Sequence, residues 1–127
     1  MNVKPLNFEW QALRIATGGK PGKPEHLCWL KEQNIGAIVS LEPIPDQIEK
    51  QIRRNKIPHL QLDIDSESSD EPFNPRDHVS DSDWQKFTSF ISLQLSQDKV
   101  IYVHCSAGIS RSVKMVLRFL NEKSPTG

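Results

Sequence analysis

The apolar run Val100-Ile101-Tyr102-Val103 passes directly into His104-Cys105-Ser106-Ala107-Gly108-Ile109-Ser110-Arg111-Ser112, and helical spacing resumes behind it. A strand, a tight loop and a helix in immediate succession constrain this chain more than any other stretch. Such a junction aims several backbone N–H groups at one point, and the aligned peptide dipoles add partial positive charge there. A dianionic phosphate suits that field, which also favours a thiolate over a thiol. With Cys105 at one end of the loop and Arg111 at the other, the residues point to a site that cleaves phosphate esters.

The same residues spell HCxxGxxR followed by Ser. In this the chain resembles the cysteine-based protein tyrosine phosphatases, and in particular the small atypical dual-specificity branch. The resemblance extends to Asn7-Phe8-Glu9-Trp10, to Arg14-Ile15-Ala16 and to Asn34-Ile35-Gly36-Ala37-Ile38-Val39-Ser40-Leu41, and covers most of the chain except residues 66–80. It implies hydrolysis of phosphate monoesters, above all phosphotyrosine and also phosphoserine and phosphothreonine in proteins.

Roles follow from what the reaction requires: in-line attack, neutralisation of oxygen charge and protonation of the leaving oxygen. Cys105 attacks and becomes a phosphocysteine, and Arg111 presents a planar, permanently charged fork to two phosphate oxygens. Gly108 lets the loop turn sharply, while Ser106, Ala107, Ile109 and Ser110 line the cradle through their main chain. The resemblance further implies that Ser112 donates a hydrogen bond to the sulfur and that His104 orients the loop and supports the thiolate. A general acid is also implied, an Asp from a loop. If Leu60, Leu62 and Ile64 face inward, Asp63 and Asp65 share the opposite face, and only the residue where the strand ends can swing over the pocket. That favours Asp65, with Asp63 as the alternative and Asp70 and Asp77 further along the same loop.

Alternating β and α patterns place this loop in an α/β fold, a mostly parallel central sheet with helices on both faces. Strands are expected at Leu13–Ala16, Ala37–Leu41, Leu60–Ile64 and Val100–Val103, with a turn over Thr17–Gly22. Helices are expected from Pro24, from Asp46 as a cap through Ile48, Ile52 and Arg53, and from about Ser82 through Trp84, Phe87, Phe90, Ile91 and Leu95. The last helix should bury Val113, Val116, Leu117 and Leu120. Residues Asp65 to Ser80 are polar and read as a long loop.

A chain of 127 residues with zero formal net charge suits one domain over residues 1–127. No stretch suggests a membrane span, a leader or a nucleic-acid binder, so the expected setting is cytoplasmic and the expected partner a phosphorylated protein or peptide. Four histidines and two cysteines show no ligand spacing, so neither metal nor cofactor is expected. The acids Asp63, Asp65, Glu67, Asp70, Glu71, Asp77, Asp81 and Asp83 face only Arg76, which disfavours polyanions, although a solvated acidic loop with no role in selection is the preferred account of the pattern. Lys50, Arg53, Arg54 and Lys56 read as an exposed helix face. The alternatives are a phosphatase for RNA 5′-phosphate or phospholipid, and a phosphate-binding module with poor turnover. Cys28, beside Trp29, reads as a packing residue or as a redox partner of Cys105. The chain stops soon after its last helix, where relatives generally continue. The expectation is a minimal form, a truncated one, or a homodimer in which the partner covers Val116 and Leu120.

Overall fold

Val100–His104, the strand that enters the loop, is apolar along nearly its whole length, as a strand covered on both faces must be. In the computed structural model, which describes residues 2–64 and 73–123, it lies at the centre of a five-stranded sheet. In chain order the elements are β1 (Glu9–Ala12), β2 (Ile15–Gly18), α1 (Pro24–Glu32), β3 (Ile35–Ser40), α2 (Asp46–Arg54) and β4 (His59–Gln61). They are followed by α3 (Pro75–His78), α4 (Asp81–Ser96), β5 (Val100–His104) and α5 (Arg111–Lys123). The strand order is β1-β2-β5-β3-β4; β1 pairs antiparallel with β2, and every other pairing is parallel.

The two-residue period of the strands sorts their side chains into two cores. Ile15, Val39, Ile101 and Val103 join Phe87 and Ile91 of α4 and Met115, Val116 and Phe119 of α5. On the other face Ala16, Ile38 and Tyr102 join Leu27 and Leu30 of α1 and Ile48 and Ile52 of α2. Parallel sheets need this double cover, and it puts the C-terminal ends of β2, β3 and β5 side by side, where Gly18, Ser40 and His104 are in register.

Several local expectations are corrected. The first strand begins two residues later than its propensity suggests, at Ile15, and takes in Thr17 and Gly18, because pairing with β5 from Ile101 to His104 carries it on. Leu13 and Arg14 instead turn the chain between β1, a strand not expected from the sequence, and β2. The ladder of β4 stops at Gln61. Leu62 and Ile64 still face inward and bond through their N–H groups to the carbonyls of Ser40 and Leu41, at 2.8 and 2.9 Å. Within the expected loop lies α3, started by the Asn74 side chain, which accepts from the Arg76 N–H, and by Pro75 at the first helical position. Pro45, not Asp46, is the cap of α2, and Asp46 sits in its first turn. In α5 the buried row is Ser112, Met115, Val116 and Phe119, spaced for one helix face, and Leu117 points outward. Val116 is already covered by this chain's own core, so it offers a partner no surface. Cys28 is exposed on α1, where Leu27 and Leu30 take the buried side.

Candidate active site

β5 ends at His104, and the chain crosses from Cys105 to Ser110 before α5 begins at Arg111. This crossing is tied on three sides. Lys20 N–H donates to the Ser106 carbonyl at 3.0 Å, Asn7 Nδ2 donates to the Ala107 carbonyl at 2.8 Å, and Cys105 N–H reaches the Gly18 carbonyl at 3.3 Å. Gly108 has φ +75°, and a Cβ there would run into the backbone of Gly18 and Gly19. Only glycine meets both demands.

The Cys105 sulfur lies at the floor of this loop, with 2% of the residue exposed. Gly108 N–H donates to it at 3.3 Å, and Ser112 Oγ lies 3.3 Å away from the same atom. The two groups converge on one sulfur at the start of a helix, where the peptide dipoles gather partial positive charge. Arg111 lines the same cleft as Cys105. One terminal nitrogen donates to the Ile64 carbonyl at 2.8 Å, and the other pairs with Glu42 Oε1 at 2.8 Å. The second Glu42 oxygen pairs with Lys20 Nζ at 2.6 Å. Burial works to raise the Glu42 pKa, but the ion-paired hydrogen bonds from Lys20 and Arg111 outweigh it and hold the carboxyl below its ordinary value. Two cations share one carboxylate, so these three side chains together carry one net positive charge. Phe73, Cys105, Ala107, Ile109, Ser110 and Arg111 line the cleft, enclosing about 290 Å³.

Behind the loop His104 is fully buried, its pKa pushed down to about 4 by desolvation against the opposing pull of its bond to Cys105. It is therefore neutral at physiological pH.

The chain matches the model of the dual specificity phosphatase catalytic domain over residues 20–124. It belongs to that family. Similar folds include a putative phosphatase (DUF442) from Shewanella putrefaciens, with TM-score 0.75 and 16% identity over 96% of this chain and 72% of the other. The core catalytic domain of the PP-IP phosphatase SIW14 from S. cerevisiae has TM-score 0.63 and 15% identity, covering 100% and 82%. The human tyrosine phosphatase-like serine/threonine/tyrosine-interacting protein has TM-score 0.63 and 21% identity, covering 91% and 73%. No curated protein sequence matches this one significantly.

In this dual-specificity phosphatase the residues expected from the loop motif are brought together: Cys105, Ala107, Ile109, Ser110 and Arg111 line one cleft, and Gly108 and Ser112 bond the sulfur. Ser106 contributes its carbonyl to the tie with Lys20, and its side chain is exposed. Asp63 is exposed and lines a different cleft with Pro43, Ile44, Asp46 and Glu49. Asp77 lies on α3, where its carboxylate accepts from Asn74 Nδ2 at 3.2 Å. Asp65 and Asp70 lie outside the described residues. Glu42, Lys20 and Phe73 are site residues that the sequence reading missed. The available signal was positional: Glu42 and Lys20 each follow a strand within two residues of its end, on the edge of the sheet where ligands bind in such folds. Among the described residues no helix is long and apolar enough to cross a membrane.

Proposed function

We propose that this phosphatase hydrolyses phosphotyrosine in proteins, with phosphoserine and phosphothreonine as lesser substrates, through a phosphocysteine on Cys105. The observation that carries the reading is the Cys105 sulfur held 3.3 Å from Gly108 N–H and from Ser112 Oγ, in a cleft that Arg111 also lines. The sulfur attacks phosphorus in line as the ester P–O bond breaks, and the leaving oxygen takes a proton from an Asp. Arg111 spreads the charge of the equatorial oxygens. Water then attacks phosphorus while the Asp carboxylate takes its proton, the S–P bond breaks with Ser112 donating to the departing sulfur, and inorganic phosphate leaves.

Asp65 is the acid in this scheme. Ile64, its neighbour in sequence, is bonded through its carbonyl to the Arg111 guanidinium, whereas the Asp63 side chain belongs to a separate cleft. Phe73 and Ile109 supply apolar walls that favour an aryl ester. The loop carries no lysine or arginine between Cys105 and Arg111, which fits a phosphoprotein better than a polyphosphate. Both cysteines are free thiols, in keeping with a reducing, cytoplasmic setting.

Hydrolysis of p-nitrophenyl phosphate without added metal, comparing wild type with Cys105→Ser, tests the chemistry. Turnover should vanish in the variant while phosphate binding persists. A panel of phosphotyrosyl and phosphoseryl peptides, an RNA 5′-phosphate, a phospholipid and an inositol pyrophosphate, the last because the yeast relative is a PP-IP phosphatase, tests the substrate class. A preference for any of the last three would overturn the phosphoprotein reading. Phosphate binding without turnover in the wild type would make the domain a binding module.

A further inference from the structure

Behind the phosphate loop, three strands carry a chain of side chains that runs from His104 to two residues the chemistry above does not use, Ser40 and His59. His104 Nδ1 lies 3.1 Å from the Cys105 carbonyl oxygen, His104 Nε2 lies 2.6 Å from Ser40 Oγ, and Ser40 Oγ lies 2.8 Å from His59 Nε2. The sheet builds this chain. β3 runs between β5 and β4, Ser40 is in register with His104 on one side and Gln61 on the other, and His59 stands two residues before Gln61, on the same face.

The direction of every bond follows from one atom. A carbonyl oxygen can only accept, so His104 Nδ1 carries a hydrogen. His104 is fully buried with only a hydroxyl and a carbonyl bonded to it, so its ring is neutral and Nε2 accepts. Ser40 therefore gives its one hydrogen to His104, and its oxygen receives the Nε2 hydrogen of His59. Each donation sharpens the next, because hydrogen bonds in series polarise one another.

The chain ends on the peptide group joining Cys105 to Ser106. There are no cis peptide bonds among the described residues, and in a trans peptide C=O and N–H point to opposite sides. Pinning the Cys105 carbonyl toward His104 turns the Ser106 N–H away from that ring, toward the mouth of the loop, where a phosphoryl oxygen would sit.

We propose that His59 and Ser40 are positioning residues of the phosphate loop, which act through His104 to lock the Cys105–Ser106 peptide with its N–H facing the bound phosphoryl group. This rests on the reading that the loop binds phosphate. It is tested by a measurement that needs no turnover: calorimetric binding of inorganic phosphate to wild type, His59→Leu, His59→Gln and Ser40→Ala, with melting temperature and p-nitrophenyl phosphate kinetics alongside. His59→Leu and Ser40→Ala should weaken phosphate binding about five- to tenfold, the usual worth of one hydrogen bond, and lower kcat. His59→Gln keeps an N–H at similar reach and should recover most of both.

Unchanged phosphate affinity in His59→Leu and Ser40→Ala would overturn the proposal. So would equal losses in the Leu and Gln variants that simply follow melting temperature, since that pattern belongs to packing alone. A wild type that binds phosphate without turning over substrate would refute the catalytic reading and leave the positioning reading to be decided by the binding data. A wild type that binds no phosphate would overturn both.

Discussion

Glu42 holds Lys20 with one oxygen and Arg111 with the other, and all three are substantially withdrawn from water. Removing the charge leaves two cations facing each other across a neutral amide. Glu42→Gln should destabilise the fold by about 1.5–3 kcal/mol, as for lost hydrogen bonds to charged groups. It should also reduce kcat/KM by about 10- to 100-fold by letting the guanidinium drift from its place. Steady-state kinetics and chemical denaturation read the two effects separately, and unaltered kcat/KM would show that Ile64 alone holds Arg111. Gly108→Ala is the harsher change. It meets a positive φ and a backbone collision together, and should cost at least about 1–3 kcal/mol and abolish turnover. Denaturation with residual activity checks this, and near-normal activity would show that the loop adapts. At this scale the sequence displays residues whose neighbours are close in the chain, such as Cys105 and Ser112, seven apart. Glu42 and Arg111 stand 69 residues apart, and no local pattern records their contact.

At the scale of elements, α5 does more than present the loop. Lys114, one turn beyond Arg111, donates to the Phe73 carbonyl at 3.0 Å, and Arg118, one turn further, donates to the Pro75 carbonyl at 3.0 Å. Arg118 also lies over the Trp84 ring of α4, 3.9 Å from its centre, and pairs with Glu122. One face of α5 thus holds the backbone at Phe73 and Pro75 and keeps Phe73 in the cleft wall. Lys114→Met keeps the aliphatic stem and removes the donor. It should raise KM for an aryl phosphate about three- to tenfold, the worth of a single charged hydrogen bond at a partly solvated site, with little change in kcat. Steady-state kinetics decide it: a fall in kcat at constant KM would instead tie this segment to the chemical step. Hydrophobic period located α1, α2, α4 and α5 because each buries its own stripe. It missed β1, α3 and the extension of β2, since a short strand or a single helical turn is decided by what it pairs with. The inward stripe of α5 lies one position before the expected Val113, Val116, Leu117 and Leu120 throughout, because the apolar residues 113, 115, 116, 117, 119 and 120 leave two overlapping faces to choose from.

In the whole molecule, a sheet covered on both faces has to end somewhere, and at the C-terminal ends of its strands polar groups are sealed beneath the phosphate loop. His104 is the most deeply placed of these, and His59 is half-buried beside it. Burial depresses both pKa values, His104 from 6.5 to about 4, whereas in the unfolded chain each returns to its ordinary value. Between those limits the unfolded chain binds more protons than the folded one, so stability is whole above pH 6.5 and is lost as pH falls toward about 4. For His104 alone the loss is about 2 kcal/mol by pH 5 and about 3 kcal/mol by pH 4, and His59 adds in the same direction. Carboxylates such as Glu42, also depressed on folding, contribute the same sign at lower pH. Urea denaturation at pH 7, 6 and 5 measures the slope, and His104→Asn, which retains a donor for the Cys105 carbonyl but does not titrate, should flatten it. A wild type equally stable at pH 7 and pH 5 would mean that His104 takes up its proton in place. The ring would then donate from both nitrogens, and the order of donors from His59 to the Cys105 carbonyl would reverse at Ser40.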